Sequence, residues 1–330
     1  MRPLLRHGLL AAAVAMIPLT SWGQTPWLMG VFSLAVTVLF CSEWRTALSR
    51  GTITTARTGL WIPLGIVFLL ALYHLAVTPV PYSSVLFLVQ MIVALAFFYL
   101  LTSENRGLPA TGIASAWIFL LVPWILIEVA VTGDRTPGGP FFNPNYLATV
   151  LLSSMAFMAG SLVEGGERKG LRIIGAISVF LAVVGLLVVG SRSAALGILI
   201  IGLVVLVRGR GSMRLAALAM IAAVLLLPST VRQRVTEGYR SDPHSFTRVE
   251  IWGSALRMGV DHPWAGVGPN LFYENSPVYA FPTDDLPVRY GRIVRKPHSE
   301  YLRSWAEGGM IGVLAAGVFL FLTMRLMTRA

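Results

Sequence analysis

The sequence predicts an all-α protein, a polytopic transmembrane bundle of about ten spans with both termini in the cytoplasm and one large extracytoplasmic loop. Three observations predict it. The 330-residue chain is 55% hydrophobic and only 12% charged, with a mean hydropathy of +0.72, whereas soluble domains carry about 25% charged residues. Its apolar residues gather into runs near the roughly 20 residues that cross a bilayer as a helix. The loops between these runs alternate in positive charge.

In chain order the apolar stretches are about 7–22, 27–41, 60–78, 84–101, 112–131, 146–163, 172–190, 193–207, 214–229 and 299–324. The second, eighth and ninth are short for a span. The first follows Arg2 and Arg6 like a secretory leader, but no small-x-small cleavage site comes after it, which predicts an uncleaved first helix. Breakers such as Thr78-Pro79-Val80-Pro81 and Gly138-Gly139-Pro140 fall between spans. One set of loops carries Arg2 and Arg6, then Arg45, Arg50 and Arg57, Arg106, Arg168 with Lys169 and Arg172, Arg208 with Arg210 and Arg214, and finally Arg325 and Arg329. The opposite short loops, 23–26, 79–83 and 132–145, hold only Arg135. The positive-inside rule puts the basic set in the cytoplasm. The chain then divides into a nine-span bundle over 1–229, a large outer loop with short helices over 230–298, and a last transmembrane helix over 299–330.

The net charge of +11 is scattered between apolar runs. Scattered charge fits membrane topology and argues against a nucleic-acid face. A single cysteine, Cys41, excludes a disulfide framework or a thiolate cluster. No metal site or cofactor is expected.

Four segments on the outer side carry candidate chemistry. Gly190-Ser191-Arg192-Ser193 is a tight turn between apolar helices. Arg192 is either an arginine reaching for the interface beside a serine cap, or a guanidinium placed to hold a lipid-linked phosphate in a bidentate grip. In Phe142-Asn143-Pro144-Asn145, Asn143 as N-cap and Pro144 at the first helical position account for a helix start. Thr247-Arg248-Val249-Glu250-Ile251-Trp252 opens a short amphipathic surface helix with apolar residues at 249, 252, 255/256 and 259/260. Arg248 would stand at its start, against the helix dipole. Arg289, Arg292, Arg295 and Lys296 put four cations in eight residues before His298, which opens the last span. His298 reads as a structural histidine or as a general base. His298-Ser-Glu has no second histidine or cysteine pair to suggest zinc, and Gly266-Val-Gly268 lacks the context of a dinucleotide loop and reads as a turn.

Together these segments resemble the O-antigen ligase/polymerase superfamily of bacterial membrane glycosyltransferases, over roughly residues 138–315. The resemblance rests on the Gly-Ser-Arg192-Ser turn and on Arg248 with Trp252 and Ala255-Leu256. It also rests on Asp261-His-Pro-Trp-Ala-Gly-Val-Gly-Pro-Asn270, on His298-Ser-Glu-Tyr-Leu with Glu307-Gly-Gly-Met-Ile-Gly312, and on Phe142-Asn-Pro-Asn145. It implies transfer of a glycan from undecaprenyl diphosphate to an acceptor hydroxyl, without metal, at the periplasmic face of the bacterial inner membrane. Arg192 and Arg248 would hold the diphosphate and His298 would activate the acceptor. Arg289, Arg292, Arg295 and Asn145 are further candidate substrate contacts. The expected partners are the lipid-linked donor, lipid A–core or another glycan acceptor, and membrane lipids. Members usually continue through further helices, so the stop at Ala330 suggests a short or truncated member. An O-antigen ligase is favoured over a repeat-unit polymerase or a protein O-oligosaccharyltransferase. A small-anion transporter is disfavoured, since Glu128 and His74 are the clear ionisable residues within spans before the loop and no paired halves appear.

Overall fold

The computed structural model describes residues 3–20, 26–51, 58–103, 109–133, 137–141, 143–165, 169–226, 243–281 and 294–327, and these residues form helices and connections without a strand. The helices are α1 (Pro3–Thr20), α2 (Pro26–Arg50), α3 (Trp61–Val77), α4 (Pro81–Ser103), α5 (Ala110–Thr132), α6 (Pro144–Glu164), α7 (Lys169–Val189), α8 (Arg192–Arg208), α9 (Ser212–Leu225), α10 (Pro243–Asp261), α11 (Phe272–Asn275) and α12 (Glu300–Met327). Each apolar stretch of the sequence falls on one of the first nine or on α12. Among the described residues, six helices are long and apolar enough to cross a membrane, and Trp61–Val77, Ser193–Arg208 and Ser212–Leu225 are shorter apolar helices. The protein is a multi-pass helical membrane protein.

The second stretch was expected to end near residue 41, but α2 continues to Arg50. In its polar tail Thr46 and Ser49 satisfy their hydroxyls on the carbonyls of Ser42 and Thr46, at 2.8 and 2.9 Å. Phe40 and Trp44 stack on one another and meet Tyr99 of α4 edge-on.

Two compact units form, one from 1–39 with 104–241 and the other from 40–103 with 242–330. They are set by packing, so their boundaries differ from the bundle, loop and last helix, a division by membrane side. The core of the first unit follows helical spacing, with Ile118, Leu121, Val122 and Ile125 of α5 against Leu147, Leu151, Met155 and Met158 of α6. Gly185 lets α7 approach α5 closely, since a Cβ there would lie 2.9 Å from Val122.

In the second unit α12 packs on α3 and α10, and α3 on α4. The expected single last helix is broken at Gly309, whose backbone is at φ 58°, ψ −154°. The segment Pro263–Gly268 replaces the helical bonds lost there. Val267 and Gly268 donate to the carbonyls of Ala306 and Glu307 at 2.9 and 3.0 Å. Met310 and Ile311 donate to those of Pro263 and Trp264 at 2.8 and 3.1 Å. A side chain at Gly309 would run into the Trp264 backbone, 2.6 Å away. The Gly266-Val-Gly268 turn is thus a splint on the broken helix, with both glycines at positive φ.

Candidate functional site

In the first unit α7 ends at Gly190, a left-handed residue whose N–H reaches the Leu186 carbonyl at 3.2 Å. Ser191 occupies the N-cap position of α8, but its hydroxyl does not cap the helix. It donates to the Asn145 carboxamide oxygen at 3.1 Å and pairs with the Ser193 hydroxyl at 2.9 Å. Arg192 is the first residue of α8, whose first turn holds no acidic residue. Asn143 caps α6 as expected, accepting from the Asn145 N–H at 2.9 Å with Pro144 at the first helical position. Asn145 and the Arg192 turn are thereby brought together.

In the second unit the amphipathic segment is one helix of 19 residues, α10, longer than the short helix expected. Arg248 is its sixth residue, well inside the helix. The face it packs against the protein is Ile251, Ser254, Ala255 and Met258. Val249, Trp252, Leu256 and Val260 lie exposed. The sequence carries two apolar stripes, and periodicity alone does not choose which one meets the protein.

His298 stands one residue before α12 in a left-handed conformation, φ 53°. Both flanks are tied. The Trp252 indole N–H donates to the Pro297 carbonyl at 3.0 Å, and Ser299 accepts the Leu302 N–H through its hydroxyl at 3.4 Å. Partial burial, then the nearby charges of Arg248 and Lys296, hold the His298 imidazole below its ordinary 6.5. Arg248, Arg295, Lys296 and His298 are exposed, so the imidazole is accessible and flanked by cations that disfavour its protonation. Arg289 and Arg292 lie outside the described residues.

Glu307 is the organising acid of this unit. Its carboxylate accepts the Asn270 and Phe272 N–H groups at 3.0 and 3.3 Å and the Arg303 guanidinium at 3.0 Å. It fixes the loop that leads into α11. Below that loop the His74 imidazole donates to the Ala265 carbonyl at 2.8 Å. Glu128, in the first unit, accepts the Gly138 and Gly139 N–H groups at 3.2 and 3.0 Å. Both ionisable residues that bore on the transporter reading therefore have structural partners.

Residues 177–317 match the family described as O-antigen ligase. Over 168 residues, 51% of this chain, the sequence is 28% identical to a protein of Pseudomonas aeruginosa named O-antigen ligase. The alignment covers 32% of that relative, so the chain spans about a third of the length of the curated protein it matches. The chain is thus similar to the O-antigen ligase superfamily over residues 177–317.

Within the stretch that matches the O-antigen ligase family lie Arg192, Arg248, His298 and Glu307, whereas Asn145 precedes it. The fold adds a group that sequence reasoning missed. The Ser83 hydroxyl donates to one carboxylate oxygen of Glu274, and the Asn270 amide approaches the Ser83 carbonyl at 3.5 Å. No local signal announces a pair separated by 191 positions. Tyr279 donates to the Asp261 carboxylate at 2.9 Å, and burial with that acceptor pushes its hydroxyl up to about 12.

Proposed function

We propose that this protein is a membrane glycosyltransferase of the O-antigen ligase type. It moves a glycan from undecaprenyl diphosphate to a hydroxyl of lipid A–core or another glycan acceptor, without a metal, at the periplasmic face of the inner membrane. The observation that carries this reading is the exposed His298 imidazole flanked by the charges of Arg248 and Lys296. A base and an anion-holding cation adjoin, as transfer from a diphosphate requires.

The reaction divides the work among these residues. His298 takes the proton as the acceptor oxygen bonds to the anomeric carbon. The bond from that carbon to the diphosphate oxygen breaks, and the diphosphate leaves with the electron pair. Charge grows on the leaving group, and preorganised guanidinium groups stabilise it most where water is scarce. Arg248 and Arg192 are assigned to it, with Arg289, Arg292, Arg295 and Asn145 as further substrate contacts. The loop charges support a periplasmic orientation, with both termini in the cytoplasm.

The test is His298→Gln, assayed as purified protein with a lipid-linked donor. General base catalysis contributes about 10²–10⁴-fold, so transfer should collapse by that factor while donor binding persists. Near-normal transfer would remove His298 from the chemistry. Loss of binding as well would make it part of the donor pocket.

A further inference from the structure

We propose that a second cavity of the 40–103/242–330 unit is a saccharide subsite that takes an uncharged sugar residue. It rests on the reading that the substrate is a glycan. The cavity measures about 550 Å³, within the roughly 300–1,000 Å³ typical of small-molecule sites. Tyr73 and Trp264 line it, and both are unusually open, 55% and 73% exposed. Asp261, His262, Glu274 and Asn275 supply its polar groups.

Three observations select the ligand class. First, one Glu274 oxygen holds the Ser83 hydroxyl, while the other is buried with no partner. A buried acceptor left unmade costs about 1–3 kcal/mol, more when charged, so Glu274 gains by turning that oxygen into the cavity it lines, toward a donor such as a sugar hydroxyl. Second, no Lys or Arg is among the described residues lining the cavity, whereas two carboxylates are. Such a wall repels phosphate and leaves the diphosphate to the basic surface at Arg248 and Lys296. Third, among the described residues no three His, Cys, Asp or Glu side chains are grouped to hold a metal ion, and Asp261 already accepts the Tyr279 hydroxyl. Aromatic faces beside hydrogen-bonding groups match a pyranose, which has an apolar C–H face and a rim of hydroxyls.

The sugar belongs to the donor glycan or to the acceptor glycan, and two probes separate these. Purified full-length protein in nanodiscs is titrated, by saturation-transfer NMR, with donor oligosaccharide released from its lipid carrier and with core oligosaccharide freed of lipid A. Inorganic pyrophosphate is the control. One oligosaccharide should bind the wild-type protein and so name the source. Glu274→Gln should weaken it about tenfold, the loss of a hydrogen bond to a charged group. Trp264→Ala should weaken it severalfold and Trp264→Phe should largely restore it, with pyrophosphate binding unchanged throughout. Trp264 is exposed enough to be truncated without a core cavity, and thermal melts check that each variant folds. Failure of both oligosaccharides to bind, or equal binding by wild type, Glu274→Gln and Trp264→Ala, overturns the subsite. If donor turnover persists in either case, the transfer reading stands. If the oligosaccharide binds and the variants lose it while wild type turns over no donor, the subsite stands and the transfer reading fails.

Discussion

Gly309→Ala should strongly destabilise the second unit, and the structure gives the size of the effect. At φ 58°, ψ −154° the residue lies where an L side chain is strained, at a cost of about 1–3 kcal/mol. The new Cβ would also sit 2.6 Å from the Trp264 carbonyl carbon and oxygen and 2.7 Å from the Gly266 nitrogen. These are backbone atoms, so relief requires the 263–268 splint to move. Weakening even one of its bonds to α12 leaves a buried backbone group unpaired, for about 1–3 kcal/mol more. The sum is roughly 2–6 kcal/mol, read as earlier unfolding on titration of detergent-solubilised protein with dodecyl sulfate. Gly317→Ala is the control on the same helix, because a Cβ there meets nothing within 4 Å. It should be neutral, or stabilising by up to about 1 kcal/mol from helix propensity. If Gly309→Ala unfolds with the wild type, the broken helix and its splint are not the native arrangement.

Arg192→Lys and Arg248→Lys should each lose most transfer activity at unchanged expression, because a diphosphate is gripped by the planar fork and less well by an ammonium; wild-type transfer by both would make them interfacial anchors. The pH profile follows from His298. A base works in its neutral form, and its pKa lies below 6.5, so transfer should rise with pH through that lowered value and level off above it. Arg248→Gln removes one of the charges that depress it, so the residual activity should show its acid limb at higher pH, measured as initial rates from pH 4.5 to 8. Cysteines at 106 and 210 should resist an impermeant maleimide in intact spheroplasts while one at 241 reacts, the reverse pattern overturning the orientation; positions 106 and 241 lie outside the described residues.

The spans were legible because a bilayer imposes one simple demand, about 20 apolar residues without charge, and 84–101 and 172–190 meet it by composition alone. The start of α6 was legible because Asn143 and Pro144 act on their immediate neighbours. The break at Gly309 was not. Nothing local to Gly308-Gly309 announces it, because the segment that lies against it, Pro263–Gly268, comes some 40 positions earlier. The same holds for Glu274, whose significance depends on Ser83. The protein-packed face of α10 was hidden for another reason. The stripe at 249, 252, 256 and 260 was legible and lies exposed, but a second face with Ile251, Ala255 and Met258 packs on the protein, and periodicity alone does not announce both.

Placement on a helix also reversed one local argument. The sequence pointed to Arg248 as the arginine opposing a helix dipole, yet that position belongs to Arg192, while Arg248 lies more than a turn inside α10. The two arginines therefore differ in what they can do. Arg192 opens α8, and the N–H groups of a helix start favour an anion directly. At Arg248 the dipole contributes little, and the charge acts on its neighbour His298. The histidine itself holds a left-handed backbone, a conformation that costs about 1–2 kcal/mol away from glycine. It is retained by the Trp252 bond on one side and the Ser299 cap on the other. Those two ties come from α10 and α12, the same helices that carry Arg248 and Glu307. Loosening either helix would thus disturb the orientation of the imidazole together with the charge that keeps it neutral, and a base needs both.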